Sequence, residues 1–176
     1  ADVPTATWTE KWPDAERKLE TRAVTTEVWT TAFQAELDRN GSLHIPARER
    51  PYYIDGPLIL KSGHKLTADP KAEIRLKPGT NTCMVRNEHV VTLNTKPVPA
   101  DLPLDSDISI EGGIWSTLAN AIDNNGNHLG LSSRHNPAFG THGVILLQNV
   151  RRVSVKNVTV RQSKAFGVHL ANAHEF

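Results

Sequence analysis

The sequence predicts an all-β fold, a right-handed parallel β-helix (solenoid) with an N-terminal capping helix. One observation is a repeat near the C-terminus, where two aliphatic positions and an asparagine recur 23 residues later as the pairs Ile145/Val168, Leu147/Leu170 and Asn149/Asn172. The other is a series of brief alternating apolar stretches, separated by glycine, proline and asparagine, between residues 43 and 170. A fixed period of short strands with asparagine at the corners is typical of stacked β-helical coils.

The N-terminal quarter contains the predicted helix. Residues 1–24 are predicted to be a polar extension with weak helical periodicity over 14–23, and residues 25–176 to be the β-helix domain. A clearer helix is predicted over 28–38, because the apolar residues at 28, 29, 32, 33 and 37 form one stripe. Gly41, directly after Asn40, indicates where this helix ends. A helix just before the first strand is expected to cover the apolar end of a solenoid.

Short strands are predicted at 43–45, 58–60, 65–67, 73–76 and 84–86, each bounded by glycine or proline. A proline-rich segment (94–106) and a second long segment (116–141) interrupt the series, and loops of this length are usually functional or disordered. From residue 143 onward the repeat is regular.

Successive side chains of a strand point to opposite faces, and this predicts which residues of the last repeats face the core. The members predicted to fill the core are Ile145, Leu147, Val153, Val155, Val158, Val160, Val168 and Leu170. Leu146 and His169 are predicted to point outward. Asn149 and Asn172 are predicted to stack as an asparagine ladder, the alternative being two ordinary turn asparagines.

Composition limits the functions open to this chain. Its net charge is +1, it has no apolar run long enough to span a membrane, and its one cysteine, Cys83, excludes an internal disulfide. Residues 134–176 carry six basic residues against one acidic residue. This excess favours an anionic glycan as partner, unless these side chains are simply solvated. Nucleic acid is not a predicted partner, because no aromatic residues are interleaved with the cations, and no membrane partner is predicted.

Two stretches carry a resemblance to a known family. The sequence 41–47 (GSLHIPA) with 56–63 (GPLILKSG), and the segment 157–170, resemble the pectin-lyase-like superfamily, most closely the polygalacturonase-type glycoside hydrolases. The resemblance covers residues 28–176. It implies a secreted or periplasmic protein that acts on an acidic polysaccharide without a cofactor.

The catalytic motifs of that family are missing from this chain. Its Asn-x-Asp, Asp-Asp, Gly-His-Gly and Arg-x-Lys motifs have no counterpart here at a matching position, and 140–143 (GTHG) lies too early to be the Gly-His-Gly. The chain is therefore expected to be the N-terminal part of a longer enzyme, truncated within the β-helix. No catalytic residue and no metal ligand is predicted within it.

Candidate substrate-binding residues follow from the same arrangement. His169 is the first candidate for a sugar contact, because it points out from the column that forms the family's cleft. Lys164, Arg134 and His142 are candidates for holding an acidic sugar, and Trp115 for stacking on a pyranose ring, although it could instead pack under the nearby loop. Three functions stay open: a hydrolase, a polysaccharide lyase, and a non-catalytic glycan-binding protein of the adhesin or tail-spike type.

The missing acids give a direct prediction about activity. Because glycoside hydrolysis needs a pair of suitably spaced carboxyl groups, the chain alone should not hydrolyse polygalacturonate. The measurement is the release of reducing ends over a long incubation. Turnover by this chain would contradict the placement of the catalytic residues beyond it.

Overall fold

The computed structural model describes residues 2–13, 19–78, 80, 82–91, 99–117, 144–163 and 166–176. An antiparallel hairpin stands at the N-terminus, formed by β1 (Thr5–Pro13) and β2 (Leu19–Glu27). Alternating threonines suit such strands, because β-branched side chains pack well on a pleated surface. The weak helical periodicity predicted for 14–23 is therefore wrong over 19–23. The predicted boundary at residue 24 falls inside β2.

The predicted helix is confirmed as α1 (Thr30–Asn40). Its apolar stripe buries Phe33 and Leu37. Gly41 ends it in the left-handed region (φ 66°), and its N–H donates to the carbonyl of Leu37 at 2.9 Å. Glycine adopts this conformation without the steric cost that a Cβ imposes. The helix packs against strands β3 (Ser42–Ile45) and β5 (Leu58–Leu60).

The remaining described strands form two parallel sheets. The six-stranded sheet has the order β11-β9-β6-β3, with β4 also paired to β6 and β12 to β9. Its further members are β4 (Tyr52–Ile54), β6 (Lys65–Leu76), β9 (Ser109–Ser116), β11 (Ser154–Lys156) and β12 (Thr159–Arg161). The five-stranded sheet has the order β13-β10-β7-β5, with β8 paired to β10. Its further members are β7 (Val85–Asn87), β8 (Asp105–Ser106), β10 (Ile145–Arg151) and β13 (Val168–His174).

The predicted right-handed β-helix with a capping helix is wrong as the fold class. The described chain consists mostly of strands in two parallel sheets, with one short helix and a separate antiparallel hairpin, and the strand order does not show a solenoid. Three short strands, β4, β8 and β12, lie off the main path of their sheets. The 23-residue repeat predicts which neighbouring strands pair. It does not determine how the other strands are ordered.

The pairing predicted from the repeat is confirmed. Ile145 lies opposite Val168 and Leu147 opposite Leu170, in parallel register. The asparagine ladder is also confirmed, since Nδ2 of Asn172 donates to Oδ1 of Asn149 at 2.6 Å. Both asparagines have positive φ, 51° and 53°. Asparagine tolerates this conformation better than most residues because its short polar side chain can bond locally.

The core is mainly aliphatic, with Phe33, Tyr52 and Trp115 as aromatic members, and lies between the two parallel sheets and α1. Leu146 lies outside the core cluster that contains Ile145 and Leu147, in agreement with its predicted outward direction, although it is fully buried and pairs with Arg86 and His169 of the neighbouring strands. The prediction that Val168 fills the core is wrong. Val168 is 39% exposed, because β13 is the outermost strand on its sheet path.

Cys83 is buried, and burial raises the pKa of its thiol to about 11. Among the described residues, no helix combines the length and apolar character needed to cross a bilayer.

The backbones of β6 and β9 approach each other closely at Gly112. It lies opposite Ala68 with φ of 79°, and a Cβ there would stand 2.0 Å from the carbonyl oxygen of Ala68. The register between the two strands shifts just after this pair. Gly41 has a similar φ, but a Cβ there would meet no atom within 4 Å.

These two glycines make a matched test of the sheet contact. Gly41→Ala should lower the free energy of unfolding by about 1 kcal/mol, the cost of left-handed backbone alone. Gly112→Ala should lower it by about 3 kcal/mol or more, because the β6 backbone must also move. Urea unfolding measures both. Equal losses for the two variants would contradict the close approach of β6 and β9.

Candidate functional site

The hairpin is fastened to the parallel sheets at one side of β4. The N–H of Val28 donates to the carbonyl of Pro4 at 2.8 Å, and the N–H of Trp29 donates to the carbonyl of Tyr53 at 2.8 Å. The indole of Trp8 packs edge-on against the ring of Tyr53, with centroids 4.9 Å apart. One face of the hairpin therefore lies against β4 and the segment that precedes it.

Two adjoining cavities lie along this junction, and we call them together the hairpin trough. The first has a volume of about 500 Å³ and is lined by Thr5, residues 25–27 and residues 48–50. The second has a volume of about 320 Å³ and is lined on the sheet side by Tyr53 and Arg75 and on the hairpin side by Glu10 and Arg22. Three lining residues are common to both cavities: Thr25, Thr26 and Arg50.

A hydrogen-bonded chain forms the floor of the second cavity. The hydroxyl of Tyr53 donates to Oε1 of Glu10 at 2.8 Å and accepts from Nη1 of Arg75 at 3.3 Å. Arg75 also donates from Nε to Glu73 at 2.7 Å. Glu10 is only 2% exposed. Burial raises the pKa of Tyr53 to about 12, so its hydroxyl remains a donor throughout the neutral range.

The two arginines of the first cavity differ in their surroundings. The guanidinium of Arg48 lies 3.9 Å from the ring centre of Tyr52 and donates to Glu27 at 2.8 Å. That bond lowers the pKa of Glu27, although burial acts in the opposite direction. Arg50 is exposed, and within the described ranges its guanidinium makes no hydrogen bond or ion pair. Arg50 is therefore the cation of the trough that is available to a ligand.

The structure describes two of the five site residues predicted from the sequence, His169 and Trp115. His169 is half-buried on β13, with its ring centre 5.2 Å from that of Phe166, which is 59% exposed. Trp115 is fully buried and donates from Nε1 to the carbonyl of Gly112 at 3.0 Å, so it packs in the core and cannot stack on a sugar. Lys164, Arg134 and His142 lie outside the described residues.

A second polar cluster, Glu88, His89 and Asp105, brings three possible metal ligands within 4.8 Å of one another. Asp105 is buried, and its oxygens accept from the His89 ring nitrogen Nδ1 at 2.8 Å and from Nδ2 of Asn87 at 2.7 Å. It also accepts from the backbone N–H of His89. Because protein donors satisfy this carboxylate, the cluster is explained as a link between β7, β8 and β10.

Sequence reasoning missed the residues of the trough. Glu10 lies in the segment that was predicted to be an extension, and Arg50 lies between two predicted strands, where no element was predicted. The available signal was the alternation of threonine with alanine and tryptophan over 5–9, which is typical of a strand. No local pattern indicates that Glu10 and Tyr53, 43 residues apart, share a hydrogen bond.

Comparison with known proteins gives a likeness of fold. No family model matches the chain, and no curated protein matches it in sequence. Two solved structures of PfbA, a surface adhesin of Streptococcus pneumoniae, are similar with a TM-score of 0.54 and 22% sequence identity. The similarity covers 77% of this chain but only 30% and 32% of the two adhesin chains. At this identity the comparison shows the fold alone.

The buried hydroxyl of Tyr53 predicts an alkaline effect on stability. The tyrosine of the unfolded chain ionises near pH 10, whereas Tyr53 in the folded chain keeps its proton to about 12. The stabilisation is therefore complete below pH 10 and is lost as the pH rises to about 12. Urea unfolding of the wild type and of Tyr53→Phe at several pH values measures it. Their difference in unfolding free energy should shrink over this interval, and a constant difference would contradict the assignment.

Proposed function

We propose that this chain is part of a cell-surface protein of the adhesin type, and that it binds an acidic glycan in the hairpin trough without cleaving it. The observation that carries the proposal is Arg50, which is exposed at the junction of the two cavities and has no hydrogen bond or ion pair from its guanidinium among the described residues. A free guanidinium binds carboxylates well, because its planar donors match two carboxylate oxygens.

The lining of the trough supports a sugar ligand. Concave sites for small ligands combine apolar or aromatic walls with a few polar groups that fix orientation. Here Thr25 and Thr26 lie at the junction of the two cavities, and arginine and glutamate side chains lie at both ends. Tyr53 lines the second cavity but is only 4% exposed, so the polar groups are the ones that a ligand can reach. Three arginines line the second cavity, but Arg22 is paired with Glu20 and Arg75 with Glu73, so Arg50 is the one that favours an anionic group among the described residues.

The likeness to a surface adhesin supports a binding role outside the cell over a catalytic one. The adhesin is longer than this chain, so its binding properties are carried over here only as part of the proposal. The hydrolase alternative needs an acid and a base that face the substrate. Glu88 and Asp105 are two carboxylates close together, but Asp105 is buried and held by protein donors.

Arg50 gives the test of the proposal. Arg50→Ala should weaken the binding of polygalacturonate about tenfold, because one charge-assisted contact is lost. The measurement is biolayer interferometry of the immobilised chain at two salt concentrations. The wild type should lose affinity as salt rises, and Arg50→Ala should lose less.

Arg39→Ala is the matched control. Arg39 is an exposed arginine of α1 that lines neither cavity, and its contact is a surface pair with Glu36 at 3.4 Å. This variant should bind as the wild type does. Binding that is insensitive to Arg50, or reduced equally by Arg39→Ala, would contradict the trough as the site. Cleavage of the bound polymer would contradict the non-catalytic role.

A further inference from the structure

The edge of β2 that points away from β1 lies along the hairpin trough. Val28, directly after β2, pairs with Pro4 on one side and with Tyr53 of β4 on the other. Residues 22–27 line the trough without a gap. Because successive side chains of a strand point to opposite faces, an unbroken run of lining residues indicates that the edge of the strand borders the trough, and not one face alone.

The register of the hairpin shows which backbone groups lie at this edge. The N–H of Val28 donates to the carbonyl of Pro4, so hydrogen-bonded and non-hydrogen-bonded pairs alternate along the hairpin from that point. Ala23 and Thr25 lie in the non-hydrogen-bonded pairs, whose backbone N–H and C=O groups point away from the partner strand. Both residues are exposed, and among the described strands β2 pairs only with β1.

An edge of this kind matches one class of ligand. Unpaired donors and acceptors that alternate along a strand are a template for another extended backbone. They recur about every 6.8 Å, at alternate residues, and an extended polypeptide has the same repeat. The exposed guanidinium of Arg50 lines both cavities of the trough. Its charge favours a polypeptide that carries a carboxylate at that point.

We propose that the trough also binds an extended polypeptide segment of a partner protein, which adds to β2 as a third strand of the hairpin. The backbone of the segment bonds Ala23 and Thr25, and an acidic side chain of the segment pairs with Arg50. This inference goes beyond the proposed function, because it assigns a protein ligand to the trough. It uses the backbone of β2, on which the binding of a glycan does not depend.

Three synthetic peptides separate the backbone contact from the charge. The reference probe is a peptide of about seven residues that alternates valine and threonine around one central glutamate. A second form has glutamine in place of the glutamate, and a third is methylated on every backbone nitrogen. Isothermal titration of the wild type should show at least about tenfold weaker binding for each altered form. Equal affinity for the methylated and reference peptides would overturn strand addition, and equal affinity for the glutamine form would overturn the pairing with Arg50.

Thr25→Pro tests the edge itself. The N–H of Thr25 makes no bond within the hairpin, so proline removes the donor that faces the trough and leaves the pairing with β1 in place. This variant should bind the reference peptide at least about tenfold more weakly.

Thr7→Pro is the matched control. Thr7 lies opposite Thr25, its N–H points to the other edge of the hairpin, and it lines neither cavity. Each variant loses the same bond between the two threonine hydroxyls, at 3.0 Å. Thr7→Pro should bind the peptide as the wild type does. Unchanged binding by Thr25→Pro, or equal losses in the two variants, would overturn the proposal.

Hydrogen exchange followed by NMR identifies the occupant of the edge. The reference peptide should slow the exchange of the amides of Ala23 and Thr25 and leave that of Thr7 unchanged. Slowing that instead grows with the concentration of the chain alone would identify a second copy as the occupant and overturn the proposal. If the peptide binds and polygalacturonate does not, the proposed function fails and this inference stands. The opposite result overturns this inference and leaves the proposed function intact.

Discussion

Tyr53 is the residue through which the hairpin and the parallel sheets are joined. Its carbonyl accepts from Trp29, its ring packs on Trp8, and its hydroxyl bonds Glu10. Each contact uses a different part of one side chain or backbone unit, so all three depend on the position of β4 beside β6. Among the described residues, the hairpin is also linked to the segment before β4 by the ion pair of Glu27 with Arg48.

The same link creates the trough and its chemical character. Holding β1 against β4 buries Glu10, and a buried carboxylate is stable only when hydrogen bonds replace the water it loses. Tyr53 replaces one such bond, whereas Oε2 is shielded from solvent and has no hydrogen bond among the described residues.

Local patterns of sequence predicted the elements of the fold well. The helix at 30–40 follows from its apolar stripe and from Gly41, both of which are properties of a few adjacent residues. The Asn149–Asn172 pair follows from the 23-residue repeat, because parallel strands in register bring equivalent residues together. Burial was predicted less well. Leu146 is fully buried although it lies outside the core cluster, and alternation along one strand carries no information about burial of the outer face.

The sequence by itself determined that this chain is built of short parallel strands with one amphipathic helix, since periodicity and turn residues act over a few positions. Only the tertiary structure decided how the strands are ordered into two sheets, that Trp115 belongs to the core, and that residues of the N-terminal segment line a cavity. The site combines Glu10, Arg50 and Tyr53 from three segments. Their proximity results from long-range packing, which no local pattern encodes.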